Sequence, residues 1–230
     1  MIVGTGLIAN AFNKGNFDHT NFIVFASGVS NSREERIEEY EKELTLLTNI
    51  LNDNQDKKLI YFSSCNIISA GTSVYLQRKE LIEDYIKRNV LNHLILRLPN
   101  VVGYSTNRFQ LLNYFYFTLL EQKDLTVKVN YIRHLLDVDD LPKIMELLTT
   151  LQVEASILNV AFDNGIKVKN IIEILEVAVG MHFKNIKEDT SENDYVINNS
   201  TFLEYVKNSN QFNTKPEDII KKYYSKNTLR

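Results

Sequence analysis

Tryptophan is absent, cysteine occurs once and proline only three times in 230 residues. A lone cysteine can build neither an internal disulfide nor a cysteine-rich zinc site, so the fold rests on apolar packing, as suits a reducing compartment, and no metal is expected. No apolar stretch approaches the roughly 20 residues that cross a bilayer, and Met1 runs straight into IVGTG with no basic leader. A cytoplasmic protein without a membrane partner is expected. Charge of one sign is not in excess either. With 26 basic and 29 acidic residues, a net charge of −3 and a pI of about 5.9, the chain lacks the electrostatic footprint of a phosphate-backbone binder. No nucleic-acid partner is expected, and there is no repeat or low-complexity linker.

What the chain does have is an alternation of short β-branched or aromatic runs with longer segments of helical spacing, the pattern of an α/β fold with a largely parallel sheet. Strands are expected at 1–3, 21–27, 57–64, 93–98 and 157–162, with a short one over 126–129 and another over 183–188. Helices are expected after Gly6 and over 33–51, 73–88, 109–122, 139–152 and 167–180, with two short ones near 199–208 and 215–224. A loop through Gly71 joins the third strand to its helix, Pro99 ends the fourth strand, and Gly180 caps the helix before it. In the second helix Ile37, Tyr40, Leu44, Leu47 and Leu51 form the apolar stripe, and the run REERIEEYEKE reads as a solvated face. Residues 1–150 are expected to form a Rossmann-like core, and 151–230 a small C-terminal α/β portion interleaved with it.

Three motifs could carry chemistry. Gly4, Gly6 and Ala9 form G-x-G-x-x-A where a strand turns into a helix, the setting in which backbone N–H groups receive a pyrophosphate; a glycine turn serving only tight packing is the plain alternative. Tyr75-x-x-x-Lys79 puts a phenol and an ammonium on one helix face, although chance alone supplies about one such pair in a chain of this composition. Lowering a phenol by about three pKa units takes roughly 4 kcal/mol, which a neighbouring ammonium helps to provide. Ser63 and Ser64 close the preceding strand at the sheet edge where ligands sit, with a turn or capping serine as the alternative for Ser64. The order of the three along the chain is more informative than any one of them.

In that order the sequence resembles the extended short-chain dehydrogenase/reductase superfamily, the sugar-nucleotide epimerases and dehydratases. The matching segments are GTGLIA (4–9), FASG (25–28), FSSCNI (62–67), YLQRK (75–79), RLPNVVG (97–103), RHLLDVDDLPKIM (133–145) and the strand, loop and helix of 157–180. The resemblance implies NAD or NADP as cofactor and a nucleotide-sugar substrate in surface-polysaccharide precursor synthesis. It further implies Tyr75 as acid/base, Lys79 holding the nicotinamide ribose and tuning Tyr75, and Ser64 orienting the substrate oxygen. Gly4, Gly6 and Ala9, with Leu7 and Ile8 between them, would line the pyrophosphate; Ala26 and Ser27 would pass the ribose; Pro99, Asn100 and Val101 would flank the nicotinamide; and Arg133 would reach the substrate. Asp137 and Asp139 fall near the substrate, or form a helix N-cap pair.

One departure matters. Residues 13–21 alone join the first helix to the next strand, too few for the two strands and helix that complete an adenine-binding half. The carboxylate expected about 20 residues beyond the glycines goes with them, and Asp18 and His19 read as loop residues. Two functions stay open: a trimmed NAD(P)-dependent oxidoreductase, epimerase or dehydratase, or a non-catalytic sugar-nucleotide-binding or scaffold relative with a vestigial cofactor site. Cys65, His93 and His134 read as structural, and the aromatic run 114–117 as core. A homodimer contact through 109–120 is an option.

Overall fold

The apolar runs form strands because each is short, β-branched or aromatic, and buried on both sides. The computed structural model describes residues 1–68, 73–154, 156–192 and 196–225; the loop expected through Gly71 lies outside them. The chain begins with β1 (Ile2–Val3), α1 (Leu7–Lys14), β2 (Phe22–Phe25), α2 (Ile37–Asp53) and β3 (Lys58–Ser64). A 3-10 turn over Cys65–Ile68 precedes α3 (Val74–Asn89) and β4 (His93–Leu98). Next come β5 (Asn100–Val102), α4 (Leu111–Leu120), β6 (Leu125–Lys128), β7 (Ile132–Arg133), β8 (Leu135–Asp137) and α5 (Asp140–Thr150). The last stretch holds β9 (Ile157–Asn159), β10 (Ile166–Lys167), α6 (Val168–Val179), β11 (Ile186–Asp189), α7 (Ser200–Val206) and α8 (Pro216–Tyr224).

Five parallel strands form the central sheet in the order β1-β2-β3-β4-β9. The pleat sorts its side chains onto two faces. Val24, Ile60, Phe62, Leu94 and Leu96 pack with Phe12 of α1 and Leu141 and Ile144 of α5. Ile23, Phe25, Leu59, Tyr61 and Ile95 pack with Leu47 of α2 and Ile82 and Ile86 of α3. Each fully buried side chain of this size contributes about 1.5–3 kcal/mol.

The β1-α1-β2 and β2-α2-β3 links therefore step across the sheet in the same direction on opposite faces, so they have opposite hand. Since β2-α2-β3 and β3-α3-β4 share a face and nearly all such links are right-handed, the exceptional one is β1-α1-β2. That geometry accompanies the short 15–21 connection: among the described residues no strand lies beyond β1, which is the sheet edge.

Three two-stranded ladders, β5 with β8, β7 with β10 and β6 with β11, surround the sheet. None of β5, β7, β8 and β10 was expected, because two or three residues carry no readable period. Conversely, the runs expected as strands at 21–27 and 157–162 narrow to β2 and β9, which joins the core sheet beside β4. Gly180 ends α6 in the left-handed region at φ 68°. Asp139 occupies the N-cap of α5 without a side-chain capping bond, and Asp137 Oδ1 accepts the Asp139 N–H at 3.0 Å, so the pair orders the helix start only in part. Lys222 bonds Asp137 Oδ2 at 2.8 Å and Asp139 Oδ2 at 2.7 Å, and the single Tyr223 hydroxyl proton is shared between the two carboxylates, which latches α8 onto the start of α5. Among the described residues no helix is long and apolar enough to cross a membrane, and no group of three or more His, Cys, Asp or Glu could hold a metal ion.

Candidate functional site

The C-terminal edge of the sheet gathers the glycine turn after β1, the loop after β2, the end of β3 and the start of α3. Gly4 sits at φ 122°, and a Cβ there would lie 2.4 Å from the Ala26 carbonyl oxygen. That close approach, together with the Ala26 N–H donating to Val3 O at 2.8 Å, binds the turn to the end of β2. Packing alone thus explains Gly4. Gly6 differs: a Cβ there would meet no atom within 4 Å, so the turn is open over the first amides of α1, which have no intrahelical partner. Leu7 and Ile8 are half-buried and Ala9 fully buried. Leu7 reaches the loop beyond β5, where a Cβ on Gly103 would lie 2.7 Å from Leu7 Cδ1. The open turn suits the pyrophosphate of a dinucleotide; on the other side, the sheet of the described residues ends at β1, with no further strand end there to offer a carboxylate to an adenosine ribose.

Tyr75 lies in the first turn of α3 and Lys79 one turn deeper, so the strand-to-helix order places both beside the ends of β2 and β3. Lys79 is buried, and its Nζ donates to Glu43 Oε1 at 3.0 Å and to the Tyr61 hydroxyl at 3.0 Å. Tyr61 donates to the same Glu43 oxygen at 2.7 Å, and Val29 N–H donates to Glu43 Oε2 at 2.8 Å. The Lys79 and Glu43 side chains are 3% and 1% exposed. Gly28 closes the cluster: a Cβ there would stand 2.6 Å from Lys79 Nζ and 2.7 Å from Glu43 Oε1.

The Tyr75 hydroxyl makes no hydrogen bond among the described residues. Burial, then the Glu43 charge and then Tyr40 push its phenol above the usual range, opposite to the lowering expected from Lys79. Burial is the largest cause, and the Lys79 ammonium on the same helix is paired with Glu43, whose charge adds to the upward shift.

Ser64 is buried, and its Oγ accepts the Asn66 N–H at 3.2 Å. By the pleat it stands on the Phe62 side, the face away from α3. Ser63 shares the Tyr61 side, and its buried Oγ has no hydrogen-bond partner. Pro99 follows β4 directly; Asn100 donates from N–H and Nδ2 to His134 O at 3.1 and 3.2 Å, while Val101 is half-buried in β5. Arg133 on β7 precedes that carbonyl, packs 5.2 Å over the Tyr131 ring and donates to Ile132 O at 3.0 Å. Ala26 and Ser27 border the cluster in the loop after β2. The structure thus groups Tyr75, Lys79 and Ala26–Gly28, and sets Asn100 and Arg133 around a separate ladder.

Glu43 and Tyr61 were not anticipated. Glu43 ends the charged run read as solvated, yet it falls between Tyr40 and Leu47 at helical spacing, and that position was the available signal. Cys65 packs as expected: burial pushes its thiol up to about 12, and Sγ donates to Arg97 O at 3.0 Å. His134 is buried with Nδ1 3.0 Å from Phe162 O.

No protein-family model matches the chain, and no curated protein matches it. Solved structures do. The WbmH enzyme of Bordetella bronchiseptica, in complex with NAD+, superposes at a TM-score of 0.71 with 15% identity, over 99% of this chain and 82% of that one. The UDP-glucuronic acid 4-epimerase of Bacillus cereus, in complex with UDP-glucuronic acid and NAD, gives 0.67 with 16% identity, over 96% and 77%. TunA, an NAD-dependent NDP-hexosamine 5,6-dehydratase involved in tunicamycin biosynthesis, gives 0.66 with 14% identity, over 87% and 74%. At these identities the likeness establishes the fold: a Rossmann-like α/β sheet of the kind seen in NAD-dependent sugar-nucleotide epimerases and dehydratases.

Proposed function

We propose that the chain carries out NAD(P)-dependent oxidoreductase, epimerase or dehydratase chemistry on a nucleotide-activated sugar, in the synthesis of surface-polysaccharide precursors. The observation that carries this reading is the placement of Tyr75 and Lys79 one helical turn apart at the C-terminal edge of β3, beside Gly28 and near the open turn at Gly6. A bound nicotinamide would accept or supply a hydride at the sugar carbon. Tyr75 holds and moves the proton on the oxygen of that same carbon. Because its phenol is kept protonated in the ligand-free chain, it is poised to donate a proton to a keto-sugar oxygen as that carbon is reduced. In the oxidative direction Tyr75 must first lose its proton, which requires more of the Lys79 charge than Glu43 leaves free. Gly6 and the first amides of α1 receive the pyrophosphate; Leu7, Ile8, Ala9, Ala26 and Ser27 border it; Pro99, Asn100 and Val101 flank the nicotinamide. Ser64 bonds the substrate oxygen and Arg133 contacts the nucleotide sugar.

The edge position of β1 favours the second reading, a sugar-nucleotide-binding relative without redox chemistry, because the adenosine end of a dinucleotide lacks its usual strand. Calorimetric titration with NAD and NADP, alone and with uridine or guanosine diphosphate sugars, separates the two. Dinucleotide binding supports the enzyme; sugar-nucleotide binding without dinucleotide favours the binding relative; no heat with either contradicts both.

A further inference from the structure

We propose that Glu43 is a positioning residue, which fixes the Lys79 ammonium at the end of β2 and through it governs proton transfer at Tyr75. This rests on the reading of Tyr75 as the proton-transfer group and extends it to a residue on a different helix. Glu43 comes from α2, whereas Tyr75 and Lys79 share α3. Both Glu43 oxygens are committed: Oε1 accepts from Lys79 at 3.0 Å and Tyr61 at 2.7 Å, and Oε2 accepts from Val29 N–H at 2.8 Å. The missing side chain at Gly28 leaves room for the ammonium beside that carboxylate, since a Cβ there would lie 2.6 Å from Lys79 Nζ. An apolar pair of the same volume would fill the space without removing two charges from water. The ion pair is thus a costly way to pack α2 on α3, but an effective way to aim an ammonium.

The ionisable groups facing Tyr75 are Glu43 and Tyr40 from α2 and Tyr61 from β3, with Lys79 one turn along its own helix. Glu43 acts on Tyr75 through its one negative charge, which disfavours the phenolate and so offsets the positive charge of the Lys79 ammonium it holds. Releasing the grip should therefore make Tyr75 a readier proton donor and a usable base.

The test is ring-carbon NMR of labelled tyrosine in the full ligand-free chain, with Tyr75→Phe identifying the resonance. It requires neither cofactor nor substrate, so its outcome is independent of whether the chain proves to be a sugar-nucleotide enzyme. In Glu43→Gln the Tyr75 resonance is expected to titrate at least about one pH unit lower than in the wild type, while Glu43→Asp, which keeps the charge, stays close to the wild type. Equal titration in Glu43→Gln and the wild type would overturn the proposal. So would an equally large shift in Glu43→Asp, since packing and not charge would then be responsible. Should Glu43→Gln fail to fold, the neutral double variant Glu43→Gln/Lys79→Met leaves no lone buried charge. Titration within about half a pH unit of the wild type supports the cancellation of the two charges, and a clearly higher value in the double variant refutes it.

Discussion

Lys79→Met removes one charge from a pair that water scarcely reaches. Methionine keeps most of the aliphatic stem, so the change isolates the ammonium. Glu43 would retain the Tyr61 hydroxyl at 2.7 Å and the Val29 N–H at 2.8 Å, but lose its counter-charge in a site where its side chain is 1% exposed. Breaking a buried pair in this way costs about 3–5 kcal/mol, against about 0–1 kcal/mol for an exposed one. Adding Glu43→Gln to Lys79→Met should recover part of the loss, because the lone carboxylate is then gone; the coupling is expected at about 1–3 kcal/mol. Urea unfolding of the two single variants and the double measures all three quantities. A single-variant cost below about 1 kcal/mol, or additive effects in the double, would mean that the pair is solvated and that the clamp on Lys79 does not exist.

Gly4→Ala should destabilise by about 2–4 kcal/mol, since it combines a strained backbone region with a Cβ 2.4 Å from the Ala26 carbonyl; Gly6→Ala should be near neutral for stability while weakening dinucleotide binding in calorimetry. Ser63→Ala removes a buried hydroxyl with no partner and should stabilise by about 1 kcal/mol; a loss of turnover greater than in Ser64→Ala would transfer the substrate-orienting role to Ser63. Stability should fall as pH rises past about 10, because unfolded tyrosine and lysine release protons there that the folded chain retains. Burial and then Glu43 raise Tyr61, burial and then Asp137 raise Tyr223, and at Lys222 the bonds to Asp137 and Asp139 outweigh burial, so all three titrate upward. Urea midpoints across that range check the sign, and a flat profile would contradict it. Cys65 should react with a thiol reagent only in denaturant, its thiol being buried and pushed up to about 12.

The sheet was legible because parallel strands covered on both faces announce themselves as unbroken apolar runs, and the short 15–21 link announced the missing strands. Gly180 was legible because a glycine at the end of an amphipathic stretch has a single economical conformation. The ladders of β5 with β8 and β7 with β10 were not, because strands of two or three residues leave no period and their partners lie far apart in sequence. Nor was the hand of the β1-α1-β2 link, which depends on which face α1 covers. At the site, Tyr75, Lys79, Ala26 and Ser27 were visible as motif residues, but the closeness of Gly28 to the Lys79–Glu43 pair was not. Glu43 looked like one more charge on a solvated helix, and only the packing of α2 on α3 shows that it takes the ammonium Tyr75 was expected to have. Asp137 and Asp139 carried the right residue type for a cap, but their partners arrive on α8, too distant in sequence for local patterning to reveal.

The role proposed for Tyr75 is proton transfer in a nicotinamide-dependent reaction of a nucleotide sugar. A single-turnover experiment tests it most directly: a reduced dinucleotide is mixed with a nucleotide keto-sugar, or an oxidised one with a nucleotide sugar, and the nicotinamide absorbance is followed in wild-type chain and in Tyr75→Phe. A change is expected in the wild type, with a loss of at least about 100-fold in rate in Tyr75→Phe and ligand binding retained. Binding of both ligands without any change in absorbance, or equal rates in the two proteins, would contradict it.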